Sequence, residues 1–145
     1  MLTILALSSC GSKVPSVDLS KVTFDGISVG DNFERIDTDK YTVKQNASTD
    51  YTYNYEEWRI SVDNGAITEI MASFGQVSIS INGKEDCSSV DDIIAVLGEN
   101  HRSSWYDREQ SLRQIQYFDK ENGLRGTFVY DKNSNKLVWG IMQTG

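Results

Sequence analysis

The sequence predicts an α+β fold: two tandem helix-plus-antiparallel-sheet repeats, packed as one compact unit or sharing a sheet. Three observations predict it. The first is internal repetition. Ser28-Val29-Gly30-Asp31-Asn32-Phe33-Glu34-Arg35-Ile36 lines up with Ser89-Val90-Asp91-Asp92-Ile93-Ile94-Ala95-Val96-Leu97, and Ile70-Met71-Ala72-Ser73 lines up later with Ile141-Met142-Gln143-Thr144. The second is that each Ser-Val-x-Asp block starts like a helix. The serine can cap free N–H groups, and an aspartate in the first turn suits the helix dipole. The third is that alternating apolar–polar stretches separated by turn signals follow each block, the pattern of antiparallel strands with one buried face.

Taken in order, residues 21–24 read as a short strand and residues 28–36 as a first helix of about two turns, with Val29, Phe33 and Ile36 on one side. Residues 51–55 alternate tyrosine with polar residues, and residues 58–62 place Trp58, Ile60 and Val62 on one face. Asp63-Asn64-Gly65 is a tight hairpin signal, after which residues 66–74 return as a strand. The second half starts with a strand at 76–81. Its helix carries Val90, Ile93, Ile94 and Leu97 at i, i+3, i+4 and i+7, with Gly98 as the stop. Residues 99–109 read as a loop. Strands at 112–118, 124–130 and 136–142 follow, separated by the turns Glu121-Asn122-Gly123 and 131–135. Each half is thus β–α–β–β–β. Either half alone, about 60 residues, would have a marginal core, so the two are expected to pack together.

The N-terminus carries an address. Leu7-Ser8-Ser9-Cys10 closes an apolar run and resembles the lipobox of bacterial lipoproteins, in which the cysteine becomes the acylated N-terminus. The apolar stretch from Leu2 to Leu7 is short and no basic residue precedes it. Residues 1–9 are therefore expected to be a truncated signal-peptide remnant. Residues 10–20, rich in Gly and Ser, read as the lipidated tether. The first repeat then occupies residues 21–75 and the second residues 76–145. The expected location is the extracytoplasmic face of the cell membrane, held by lipid on Cys10.

The helix block ending in Leu97-Gly98, followed by antiparallel strands with an Asx-Gly hairpin, is similar to the repeats of the β-lactamase-inhibitor-protein-like fold. It also resembles those of the small outer-membrane assembly lipoproteins of the SmpA/OmlA type. The carrying residues are Ser89-Val90-Asp91-Asp92 with Leu97-Gly98, and Ser28-Val29-Gly30-Asp31 with Ile36. The first half departs from the pattern, having no Leu-Gly after its helix. The resemblance implies a protein-binding module, inhibitor-like or envelope-associated, rather than an enzyme.

Composition narrows the function classes. A net charge of −7 opposes nucleic-acid binding and electrostatic adhesion to anionic lipid. No Gly-rich phosphate loop, nucleophile elbow or Cys-x-x-Cys occurs. The adjacent carboxylates Glu56-Glu57 and Asp91-Asp92 point apart and cannot share a proton. His101, the one histidine, lies in a segment without regular ligand spacing, so no metal or other cofactor is expected. With Cys10 acylated, Cys87 has no disulfide partner and reads as a small, partly buried thiol.

What remains is aromatic. Tyr51, Tyr53 and Tyr55, with Tyr41 and Trp58 nearby, are core or half-core if their face is buried and an aromatic platform if it is open. On the open reading Tyr53, Tyr55 and Trp58, with Trp139 from the second half, would line one face of the sheet, and Trp105, Tyr106 and Arg108 combine the residue types that dominate interface hot spots. These seven form the candidate surface for a protein or peptide partner. The alternative is a small-ligand or glycan-binding module stacking on the same aromatics. A hydrolase ranks third, since it would require His101 beside two carboxylates in a cleft.

Overall fold

A computed structural model describes residues 14–47 and 49–145. Its nine strands are β1 (Val22–Phe24), β2 (Tyr53–Asn54), β3 (Trp58–Asp63), β4 (Ala66–Ser73), β5 (Ile79–Ile81), β6 (Arg102–Asp107), β7 (Leu112–Asp119), β8 (Leu124–Asp131) and β9 (Leu137–Thr144). Among the described residues they are accompanied by a single α-helix, α1 (Val90–Leu97). The expected α+β class with two helical repeats is therefore corrected. With 47% strand and 11% helix, this is a β-rich protein.

The first helix fails for a local reason. Gly30 adopts a φ of +98°, outside the right-handed helical region. The backbone around it bonds to the β3–β4 hairpin instead: Gly30 N–H donates to Ile67 O, Ile67 N–H to Asp31 O, and Phe33 N–H to Gly65 O. Two 3₁₀ turns remain, Phe33–Arg35 capped by Asn32 and Thr38–Lys40 capped by Asp37. The second helix forms where its pattern places it. Ser89 and Asp92 close a reciprocal capping box, and Gly98 at φ +92° ends the helix.

The strands make two sheets. β1 and β5 pair antiparallel by themselves, while the other seven form one sheet in the order β2-β3-β4-β9-β8-β7-β6. Two meanders, β2-β3-β4 and β9-β8-β7-β6, meet where their last strands pair, with Ile70 opposite Met142 and Ala72 opposite Gly140. This register corrects the repeat alignment by one residue. Ile70 and Met142 both face the main core, whereas Ile141 faces away with Met71.

The main core lies between one face of the large sheet and a cover made of α1 (Val90, Ile93, Leu97), the small sheet (Val22, Phe24, Ile79, Ile81) and Leu19. Two glycines let these layers approach. A Cβ at Gly140 would lie 3.0 Å from Ile79 Cδ1, and one at Gly126 would lie 3.3 Å from Leu19 Cδ1. The opposite face carries a smaller apolar cluster of Met71, Leu112, Val129 and Ile141, with Tyr51, Val138 and Trp139 packed on it.

Residues 16–19, read from sequence as tether, are docked on the end of β7. Val17 N–H donates to Phe118 O at 2.9 Å, Leu19 N–H to Asp119 Oδ2 at 2.8 Å, and Lys120 N–H to Ser16 Oγ at 2.9 Å.

Candidate binding surface

The segment expected as a loop at 99–109 contains strand β6, the edge of the large sheet. In register with β7, Trp105 pairs with Arg113, Ser103 with Ile115 and Arg102 with Gln116. A bulge follows, leaving Tyr106 without a partner before Asp107 pairs with Leu112. The turn into β7 is built by Asp107, whose Oδ1 accepts from the N–H groups of Glu109 and Gln110 at 3.0 and 3.3 Å. Ser111 takes a left-handed φ of +57°, and its carbonyl accepts from Lys132 N–H, which brings the β8–β9 turn alongside.

This arrangement gathers cations on one indole. Arg113, Lys132 and Arg108 lie 4.9, 5.1 and 5.4 Å from the Trp105 ring centroid. Each such contact contributes about 0.5–1 kcal/mol at an exposed site. Arg113 also donates to Ser103 Oγ at 3.1 Å, and Arg102 stacks over Phe118 at 5.4 Å. Tyr106, 42% exposed, stands beside this corner and is one of three large apolar or aromatic side chains exposed among the described residues.

The seven residues singled out by sequence do not form one surface. Trp105 and Arg108 come together at this corner, and Tyr106, next in the chain on the bulge, lies near Tyr51. Tyr55 and Trp58 are corrected: they are core residues, Trp58 only 1% exposed, packed around Tyr41. Tyr53 is 38% exposed but stacks on Phe33 with ring centroids 4.0 Å apart. Trp139 belongs to the other face, over the smaller cluster. Tyr51 lies on that face too, its hydroxyl donating to Glu69 at 2.7 Å, and burial with the nearby carboxylate pushes its pKa up. The expected stripe of Tyr51, Tyr53 and Tyr55 fails because only Tyr53–Asn54 is regular strand.

Sequence reasoning missed Arg113 and Lys132. A strand at 102–107 hairpinned to 112–119 would have placed Arg113 opposite Trp105. That strand carries no apolar alternation to reveal it.

His101 packs edge-on against Tyr117, 5.4 Å between centroids, and its Nε2 lies 4.0 Å from Glu99 Oε2. The two-carboxylate cleft that a hydrolase reading requires is not formed there. No group of three or more His, Cys, Asp or Glu able to hold a metal occurs among the described residues. Cys87 is a buried free thiol whose pKa burial pushes up. It lines a groove of about 350 Å³ with Phe74, Glu85 and Asp86. Cys10 lies outside the described residues. No described helix is long and apolar enough to cross a membrane.

No protein-family model, curated protein or solved structure matches the chain.

Proposed function

We propose that this chain is a non-enzymatic, lipid-tethered extracytoplasmic binding module that captures a protein or peptide partner at the Trp105 corner. The carrying observation is the convergence of Arg108, Arg113 and Lys132 on Trp105, next to exposed Tyr106. Trp, Tyr and Arg are the residues whose truncation costs most at interfaces. The lipobox-like Leu7-Ser8-Ser9-Cys10 supports the tether, and the similarity to β-lactamase-inhibitor-protein-like repeats supports a protein partner.

The geometry suits such a role. The docked segment meets β7 at Phe118, whereas Trp105 pairs with Arg113, five residues and roughly 17 Å along the strand. From Cys10 to Ser16 the chain spans at most about 20 Å. A lipid on Cys10 would thus hold the Phe118 end towards the membrane and direct the Trp105 corner away from it.

Capture from a membrane extract tests the reading. Trp105→Ala and Tyr106→Ala are each expected to weaken retention of the partner by roughly 30-fold, the effect of a hot-spot residue. Tyr53→Ala, away from the corner, leaves retention unchanged. Full retention by the double variant Trp105→Ala/Tyr106→Ala, with an unchanged melting temperature, contradicts the proposal.

A further inference from the structure

We infer that β6 is a docking edge for an acidic, extended segment of the partner, which adds to the large sheet as an eighth strand. This rests on the reading of the Trp105 corner as the binding surface and names the chemistry of what binds there.

The first argument is the edge itself. β6 pairs only with β7, and among the described residues no backbone hydrogen bond runs from Arg102–Tyr106 in the other direction. The opposite edge is treated differently. There residues 42–44 lie along β2, with Val43 bridged to Tyr55, Lys44 N–H donating to Asn54 O and Glu56 N–H to Thr42 O. The fold covers one edge and leaves the other unpaired, and an unpaired edge is a template for strand addition.

The second argument is charge. Arg102, Arg108, Arg113 and Lys132 form no ion pair among the described residues. None of the neighbouring carboxylates pairs with these cations: Asp107 turns to the Glu109 and Gln110 N–H groups and Asp131 to those of Asn133 and Ser134, so with Glu109 they offset the four positive charges only in part. Three cations around one ring repel each other, and carboxylates from an added strand would relieve that repulsion. The net charge of −7 does not cancel this local field, because screening at physiological salt acts over about 8 Å.

The same features select against a second copy of this chain. Pairing β6 with β6 would bring two cationic clusters together on two acidic proteins. The bulge at Tyr106 leaves Arg102–Trp105 as the regular pairing stretch, so the docked segment is short, about four to six residues.

The test uses the full 145-residue chain and a synthetic eight-residue peptide of alternating Glu and Val. Peptide binding is expected to protect the β6 amides that point away from β7, every second one over residues 102–105, from hydrogen exchange. Arg113→Glu and, separately, Lys132→Glu are expected to weaken it at least tenfold. A Lys-Val peptide of the same length, or the Glu-Val peptide with its backbone N-methylated, is expected not to bind. Equal binding of the Lys-Val peptide, binding without protection of β6, or no binding at millimolar peptide overturns the inference. Binding of phosphatidylglycerol vesicles through these cations, with no peptide binding, overturns it in favour of a lipid surface. If Trp105→Ala still abolishes partner capture in any of these cases, the proposed function stands and only strand addition falls. If the peptide protects β6 while capture ignores Trp105, the reverse holds.

Discussion

Trp58→Ala is expected to destabilise the fold by about 3–5 kcal/mol, the cost of deleting a large aromatic from a packed core. Trp58 is 1% exposed and contacts Tyr41, with ring centroids 4.6 Å apart. Against a typical stability of about 5–15 kcal/mol the loss is severe, and it should appear as a melting temperature lower by on the order of 10 °C. Trp58→Phe is expected to cost far less. The indole Nε1 is buried with no hydrogen-bond partner among the described residues, so the phenyl ring removes that donor while giving up only part of the packed ring volume. Denaturant unfolding of both variants decides the matter. A Trp58→Ala protein of native stability that had lost a ligand would restore the binding role read for this residue from sequence.

Asp119→Ala is expected to cost about 2–4 kcal/mol, because it strands the N–H groups that its carboxylate serves. Asp119 is 2% exposed and accepts from Leu19 N–H at 2.8 Å, from Asn122 N–H at 3.0 Å and from Asn122 Nδ2 at 2.8 Å. Burial by itself would raise its pKa. These hydrogen bonds, with one from Glu121, outweigh burial and hold the carboxyl below the usual carboxylate range. Since the folded pKa lies below the unfolded value of about 3.9, the ionised carboxylate contributes its stability above that pH. The contribution is lost as the pH falls through the folded value. Protection factors at Val17 and Leu19, which allow for the slower intrinsic exchange of amides in acid, should therefore fall in acid, and in Asp119→Ala at neutral pH. Protection at Leu19 that survives both changes would contradict the account of the docked segment.

The sequence showed some elements and hid others for physical reasons. Ser89 to Gly98 was legible because cap, apolar stripe and glycine stop all agree. Asp63-Asn64-Gly65 was legible because Asn64 and Gly65 both take left-handed φ values, +49° and +80°, which those residues tolerate best. The first helix was misread because Ser-Val-x-Asp suggests a cap, while Gly30 turns the chain away into the β3–β4 hairpin. Strand β6 was missed because an edge strand has little to bury. Arg102, Ser103 and Ser104 carry no alternation, so the residue opposite Trp105 stayed hidden. Aromatic composition marks candidate residues but not their burial: packing takes Trp58 and Tyr55 into the core and leaves Tyr106 exposed on the β6 bulge beside Trp105.

Photo-crosslinking in the cell tests the central proposal most directly. A benzoylphenylalanine placed at position 106, on the exposed bulge of β6, is predicted to crosslink a discrete partner, whereas the same group at position 53 gives none. Crosslinks at position 53 with none at position 106 would contradict a binding surface centred on Trp105.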